Sequence, residues 1–165
     1  MYALKAGTGA LLWNYDTGGP VYSTPAVANG AVYAGSVGGN VYALNASTGA
    51  ELWSYKTGDE ILFGPAVANG MVYVSSDDGN LYALSAGTGA KLWSSTTNSS
   101  SAPAVANGVV YVGSLDFNVY ALNAHTGAKL WSYATGSNIE SSPSVVNGVL
   151  YIGSEDDNVY AFSLK

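Results

Sequence analysis

The stretch NVYALNASTGAELW, Asn40 to Trp53, decides the fold. It holds two short runs, Asn40 to Ala46 and Ala50 to Trp53 onward, in which large apolar residues alternate with small or polar ones. Between them stands Ser47-Thr48-Gly49. Period-two alternation marks a strand, and a Ser-Thr-Gly cluster marks a turn. The stretch recurs along the chain. Tyr2, Tyr42, Tyr82, Tyr120 and Tyr160 head near-identical segments at spacings of 40, 40, 38 and 40 residues. Trp13, Trp53, Trp93 and Trp131 keep the same rhythm, as do Pro25, Pro65, Pro103 and Pro143. The two-residue shortening falls between Trp93 and Pro103, which assigns it to a loop.

Reading outward from Pro25 to Pro65 gives one whole unit. PAVA is a first strand, and Asn29-Gly30 is a hairpin turn whose two central residues need positive φ. AVYAGS is a second strand, Val37 to Gly39 a turn, NVYALNA a third strand and AELWSYK a fourth. Thr57 to Gly64 lead into the next unit. Four antiparallel strands in about 40 residues describe a propeller blade, here called A to D from the inside outward. No segment sustains an apolar period of 3.6, so an all-β chain is expected. A lone sheet with apolar residues on both faces cannot exclude water, whereas stacking against two neighbours does. The expected domain is a single repeat array over 1–165, with blade boundaries near 1–22, 23–62, 63–100, 101–140 and 141–165. The first and last of these segments are expected to complete one blade between them.

Composition narrows the function. Apolar residues make up 48% of the chain and charged residues 10%, too apolar and too weakly charged for disorder. The formal charge is −6 and arginine is absent, which argues against nucleic acid and anionic membranes as partners. With no cysteine, neither a disulfide nor a thiolate metal site can form. No apolar run reaches the roughly 18 residues of a spanning helix. The chain opens directly on repeat sequence, MYALKAGTG, with no signal-peptide pattern.

The pattern Ala43-x-Asn45-x-x-Thr48-Gly49-x-x-x-Trp53 resembles the tryptophan-docking motif of the pyrroloquinoline-quinone-like (PQQ-like) β-propeller repeat. It recurs from Ala3 to Trp13, Ala83 to Trp93 and Ala121 to Trp131, so the resemblance covers essentially the whole chain. Lys5 and Ser85 depart from the Asp/Asn position, which predicts a looser turn there. The resemblance implies rings that commonly have eight blades. It also implies that Trp13, Trp53, Trp93 and Trp131 pack between blades against Thr8-Gly9, Thr48-Gly49, Thr88-Gly89 and Thr126-Gly127. Family members include quinoprotein alcohol dehydrogenases, which hold PQQ and calcium, and non-catalytic scaffolds of outer-membrane assembly. The enzymes add adjacent cysteines, a stacking Trp beneath the cofactor and inserted acids. None of these carries over, so no cofactor is expected. The resemblance also points to a periplasmic or extracellular parent.

No catalytic residue stands out. The one histidine, His125, sits in a Thr-Gly turn, and the serines follow the repeat. The acids are distributed unevenly. In an up-and-down blade the D→A and B→C loops share one face. Ten of the 11 acids fall on or beside it, with only Lys56 among the five lysines. Asp59, Glu60, Asp77, Asp78, Asp116, Glu140, Glu155, Asp156 and Asp157 form the candidate interaction face, suited to a weakly held cation or a protein. Asp77 to Asn80 and Glu155 to Asn158 look like calcium loops only faintly, because the terminal bidentate Glu is missing.

The strands number 17, one more than four blades use, and the surplus is a C strand. Either residues 1–6 or residues 158–165 are therefore redundant, and one terminus is expected to fray or be displaced. Two closures remain open, a four-bladed ring in one chain and an eight-bladed ring of two. The expected function is a non-catalytic scaffold or interaction module, an amplified, engineered or excised propeller fragment that self-assembles as a homodimer. The alternative is a ligand-binding propeller that takes a cation, sugar or peptide on its acidic face or in its central funnel. A quinoprotein dehydrogenase fragment ranks third.

Overall fold

A computed structural model describes residues 1–164 as 17 strands, with no helix among the described residues. The strands form five antiparallel sheets in chain order. The first has two strands, β1 (Tyr2–Leu4) and β2 (Leu11–Asn14). Three complete blades follow. They are β3 (Ala26–Ala28), β4 (Ala31–Gly35), β5 (Asn40–Asn45) and β6 (Glu51–Lys56); β7 (Ala66–Ala68), β8 (Met71–Ser75), β9 (Asn80–Ser85) and β10 (Lys91–Thr96); and β11 (Ala104–Ala106), β12 (Val109–Gly113), β13 (Asn118–Asn123) and β14 (Lys129–Ala134). The last sheet has three strands, β15 (Ser144–Val146), β16 (Val149–Gly153) and β17 (Val159–Ser163). Within one chain, the first and last segments stay in these separate sheets and do not join into a single blade.

Turn chemistry sets the register. Asn29, Asn69, Asn107 and Asn147 take φ near +50°, and each following glycine lies between +74° and +77°. Both central residues thus have the positive φ that a tight A–B hairpin needs. The B and C strands then pair rung for rung, Tyr33 opposite Ala43 and Val32 opposite Leu44. C and D pair with one irregularity, which falls between Ala43 and Leu44 in the first full blade. Such a bulge adds local right-handed twist to a strand pair.

The core lies between blades. B and C strands of the complete blades are apolar on both faces and buried on both, because each face meets a different neighbour. Val41, Ala43 and Trp53 of one blade pack with Val72, Val74 and Leu84 of the next. Met71, Tyr73, Leu81 and Trp93 pack with Val110, Val112 and Leu122. Tyr33 and Tyr73 are buried deeply enough that desolvation pushes their phenols above the usual tyrosine range.

The D→A loops seal the blades at one face. Ile61 and Ile139, each four residues before a blade proline, are fully buried. Each covers the glycine that ends a B strand. A Cβ on Gly35 would lie 2.1 Å from Ile61 Cγ2, and one on Gly113 would lie 2.2 Å from Ile139 Cγ2. The shortened loop has Ser99 at the corresponding place, and its B strand ends in Ser75 where the others end in glycine. The glycine and the isoleucine therefore work as a pair. Gly35→Ala should cost about 1–3 kcal/mol through overpacking. In urea unfolding, the double substitution Gly35→Ala/Ile61→Ala should cost clearly less than the two single costs added, because the clash is shared. Additive costs would refute the pairing.

Candidate interaction faces

Three of the four tryptophans meet the next sheet in the same way. The Nε1–H of Trp13 donates to the Ala46 carbonyl at 2.9 Å, that of Trp53 to Ala86 at 2.9 Å, and that of Trp93 to Ala124 at 3.0 Å. Each ring lies on a glycine. A Cβ would come within 2.7 Å of Trp13 at Gly49, 2.7 Å of Trp53 at Gly89 and 2.6 Å of Trp93 at Gly127. Those glycines have φ between +72° and +73°, so side chains are excluded for two reasons. Burying an indole this completely is worth roughly 2–3 kcal/mol. Trp131 is only half-buried, and Gly9 has nothing within 4 Å of where a Cβ would stand.

The glycines are placed by a turn that the threonines close. Thr8, Thr48, Thr88 and Thr126 accept from the backbone two residues on, at 3.3–3.4 Å. Asn45 Oδ1 accepts from Ser47 and Thr48, and Asn123 Oδ1 from His125 and Thr126, all at 3.0 Å. Lys5 and Ser85 stand where those asparagines would. Their turns keep the backbone bond from Gly9 or Gly89 at 2.8 Å, as the other two do. His125 itself is an exposed turn residue.

On the opposite face the acids divide into two kinds. Asp78, Asp116 and Asp156 are tied into the structure. Tyr82, Tyr120 and Tyr160 donate to them at 2.6, 2.6 and 2.7 Å. Asn80, Asn118 and Asn158 donate from both backbone and side chain. Asp78 and Asp156 also accept from Gly58 at 2.8 Å and Gly136 at 2.6 Å, which staples a B→C loop to the D→A loop of the preceding blade. The tyrosine partners were not read from the sequence, yet Asp-x-Asn-x-Tyr is visible there three times. Asp59, Glu140, Glu155 and Asp157 stay exposed and Glu60 half-buried. Among the described residues, no three acids or histidines converge as metal ligands.

The titration of these groups follows from their contacts. The Tyr160 hydrogen bond leads in holding the Asp156 carboxyl down to about 2. For Asp78 and Asp116, burial pushes upward, but the tyrosine, asparagine and neighbouring hydrogen bonds together outweigh it, and both sit below the usual range. Burial and then the carboxylate push Tyr82 and Tyr120 up to about 12. Asp77 runs the other way, raised by burial and then by Asp59 and Asp78.

Among the clefts on this side, two lie beside the loops of the complete blades. One of about 300 Å³ lies where the blades converge and is lined by Tyr22, Leu62, Phe63, Ala102 and Ser142, with no charged side chain. The other, about 270 Å³, sits beside the shortened loop and is lined by Asp77, Asn98, Ser99 and Ser100. The buried hydroxyls of Ser99 and nearby Thr97 have no hydrogen-bond partner within the chain.

A family model described as outer membrane protein assembly factor BamB matches residues 1–104 and 87–165. The chain belongs to this PQQ-like propeller family. The crystal structure of BamB from Moraxella catarrhalis superposes with a TM-score of 0.85 at 25% identity, over 94% of this chain and 50% of that one. The computationally designed Ika8 protein gives 0.86 at 18% identity, over 98% of this chain and 52% of that one. A quinohemoprotein alcohol dehydrogenase, ADHIIG from Pseudomonas putida HK5, gives 0.78 at 24% identity, over 92% and 34%. This propeller thus spans about half the length of the first two. Comparison with curated protein sequences gives no match.

The aspartate–tyrosine pairs give the propeller a pH signature. A carboxyl lowered in the fold contributes stability above its unfolded pKa near 4, and that contribution is lost as pH falls toward about 2 for Asp156. A raised tyrosine contributes fully below its unfolded pKa near 10, and the contribution fades as pH climbs toward about 12 for Tyr82 and Tyr120. Asp77 opposes the acid limb in part. Melting temperature followed against pH should therefore fall at both ends. The triple variant Tyr82→Phe/Tyr120→Phe/Tyr160→Phe should flatten both limbs. Unchanged limbs would mean that the pairs do not bear on folding.

Proposed function

We propose that this chain is a non-catalytic propeller scaffold that works by protein–protein association, and that its first partner is a second copy of itself. The observation that carries this reading is the pair of open ends. Val159 is 77% exposed, whereas its counterparts Val41, Leu81 and Val119 are fully buried. Leu4 is 57% exposed, whereas Leu44 and Leu84 are fully buried. Apolar surface of this kind marks an interaction site. The two ends carry the two faces that meet at every internal joint, so one end fits the other. Two copies about a two-fold axis would cover both ends at two identical junctions and make eight blades. A half-length match to BamB fits that arrangement, and the assembly-factor description of the family supports a scaffolding role. The Trp–Gly joints are the docking elements of this scaffold.

PQQ chemistry does not fit the residues present. The cysteines are missing, each tryptophan belongs to a blade joint, and the central cleft has no charged lining. A second reading, a small polar ligand, rests on the cleft beside Ser99, where buried hydroxyls stand unpaired next to Asp77. Calorimetry separates the two readings. Calcium and simple sugars should give no heat if the acids serve the structure, and binding lost on Ser99→Ala would favour the cleft.

Light scattering at micromolar concentration should return twice the 16.9 kDa of one chain. A single-chain mass would sink the two-copy ring. Incubation with PQQ, calcium and a dye acceptor should give no alcohol-dependent reduction.

A further inference from the structure

Two copies can meet only if one C strand of each surplus pair yields, and the structure assigns which. We infer that β2 and the Thr8-Gly9 turn of a second copy complete the C-terminal sheet, while residues 1–7 of that copy are displaced. The inference rests on the two-copy reading above.

The internal joints show what the junction lacks. At a complete joint, one carbonyl accepts from two side chains. Ala86 takes the Trp53 indole at 2.9 Å and the Tyr33 hydroxyl at 3.2 Å. Ala124 takes Trp93 at 3.0 Å and Tyr73 at 3.2 Å. Ala46 takes Trp13, and the first sheet has no B strand to supply the tyrosine. Tyr151 occupies that B-strand place in β16 and is 41% exposed. The second vacancy is reciprocal. Gly9 has a φ of +69°, within a few degrees of its counterparts, but no indole above it, while Trp131 is an indole without a glycine beneath it. Along the free edge of β17 runs a groove of about 480 Å³ between Trp131, Tyr133, Ala161 and Phe162. A D strand fills that place in each complete blade. A second copy seated with β2 beside β17 would supply all three missing contacts: the D strand itself, Gly9 for Trp131, and the Ala46 carbonyl for Tyr151.

The choice between the two C strands follows from how each is held. β1 pairs with β2 over three rungs, one of them irregular, and leaves Tyr2 73% exposed. β17 pairs with β16 over five rungs. Its Phe162 ring lies 5.5 Å from Trp131 and 5.2 Å from Tyr133, and Tyr160 holds Asp156. β1 is the weaker strand and yields. Its place against β2 passes to β17 with the side chains in step, because Tyr2 and Ala3 correspond to Tyr160 and Ala161. Val159 then faces Tyr15 and Ala161 faces Trp13, as Val41 faces Tyr55 and Ala43 faces Trp53.

The chain has no cysteine, which makes crosslinking a clean test. Facing residues of such a pair lie roughly 5 Å apart, within disulfide reach. A Val159→Cys chain mixed with a Tyr15→Cys chain should give a crosslinked dimer under mild oxidation. Gly9→Val should weaken association at least about 100-fold, since it meets both a positive φ and an indole. Tyr151→Phe should weaken it about 5-fold or more. A chain starting at Thr8 should associate more tightly, because the competing strand is gone. A dimer of full mass that fails to form the crosslink, or that tolerates Gly9→Val, would overturn the strand assignment and leave the two-copy ring standing. Absence of any dimer in the unaltered chain would overturn both.

Discussion

An indole lying flat on a glycine, with its N–H donated to a carbonyl of the same turn, is the contact on which the array depends. It joins three requirements at one point. The ring needs a surface without a Cβ, the turn needs positive φ, and the carbonyl needs a donor once it is buried. Thr-Gly preceded by alanine supplies all three within four residues. Because the donor belongs to one sheet and the socket to the next, blades cannot be exchanged for bare strands. Stability is then carried by nearest-neighbour joints, as expected of a repeat array.

The opposite face is held by a different device. There the carboxylates of Asp78 and Asp156 reach back to glycine N–H groups of the preceding D→A loop, with tyrosine hydroxyls fixing them from behind. A carboxylate that accepts three or more hydrogen bonds has little left to offer a cation. The acidic rim therefore remains a source of field for solubility and steering, but its best-placed members serve the joints. The exposed acids, Glu140, Glu155 and Asp157 among them, lie on loops without convergence.

Much of this was legible before any coordinates. The 40-residue rhythm of Tyr, Trp and Pro fixed the blade, and Asn-Gly fixed the A–B hairpin, because both features state a local backbone requirement in residue identity. Less was legible where the requirement is reciprocal between distant positions. Gly35 and Ile61 look unrelated along the chain, 26 residues apart, until the loop folds over the strand. Asp-x-Asn-x-Tyr was present in plain view, but nothing in its composition distinguishes a loop that binds from a loop that is bound. The surplus C strand could be counted from the sequence. Which copy yields could not, since that depends on Phe162 meeting Trp131 and Tyr133 across two sheets.

Repetition is the physical ground for proposing association over chemistry. An active site needs unlike groups brought to one point, and near-identical blades bring like groups to equivalent points around an arc. The same repetition makes the two ends complementary at no additional cost, because each is a copy of a face already selected to bury its neighbour. Any array of this kind carries an interface in its own core pattern, and hiding it would require altering an end blade. Here Val159, Tyr151 and Leu4 retain apolar identities at the ends. Leu11 adds another, where the other D strands carry Glu51, Lys91 and Lys129. An array under pressure to remain single would be expected to place charge at such positions. The proposed association would use such apolar positions as its contact surface.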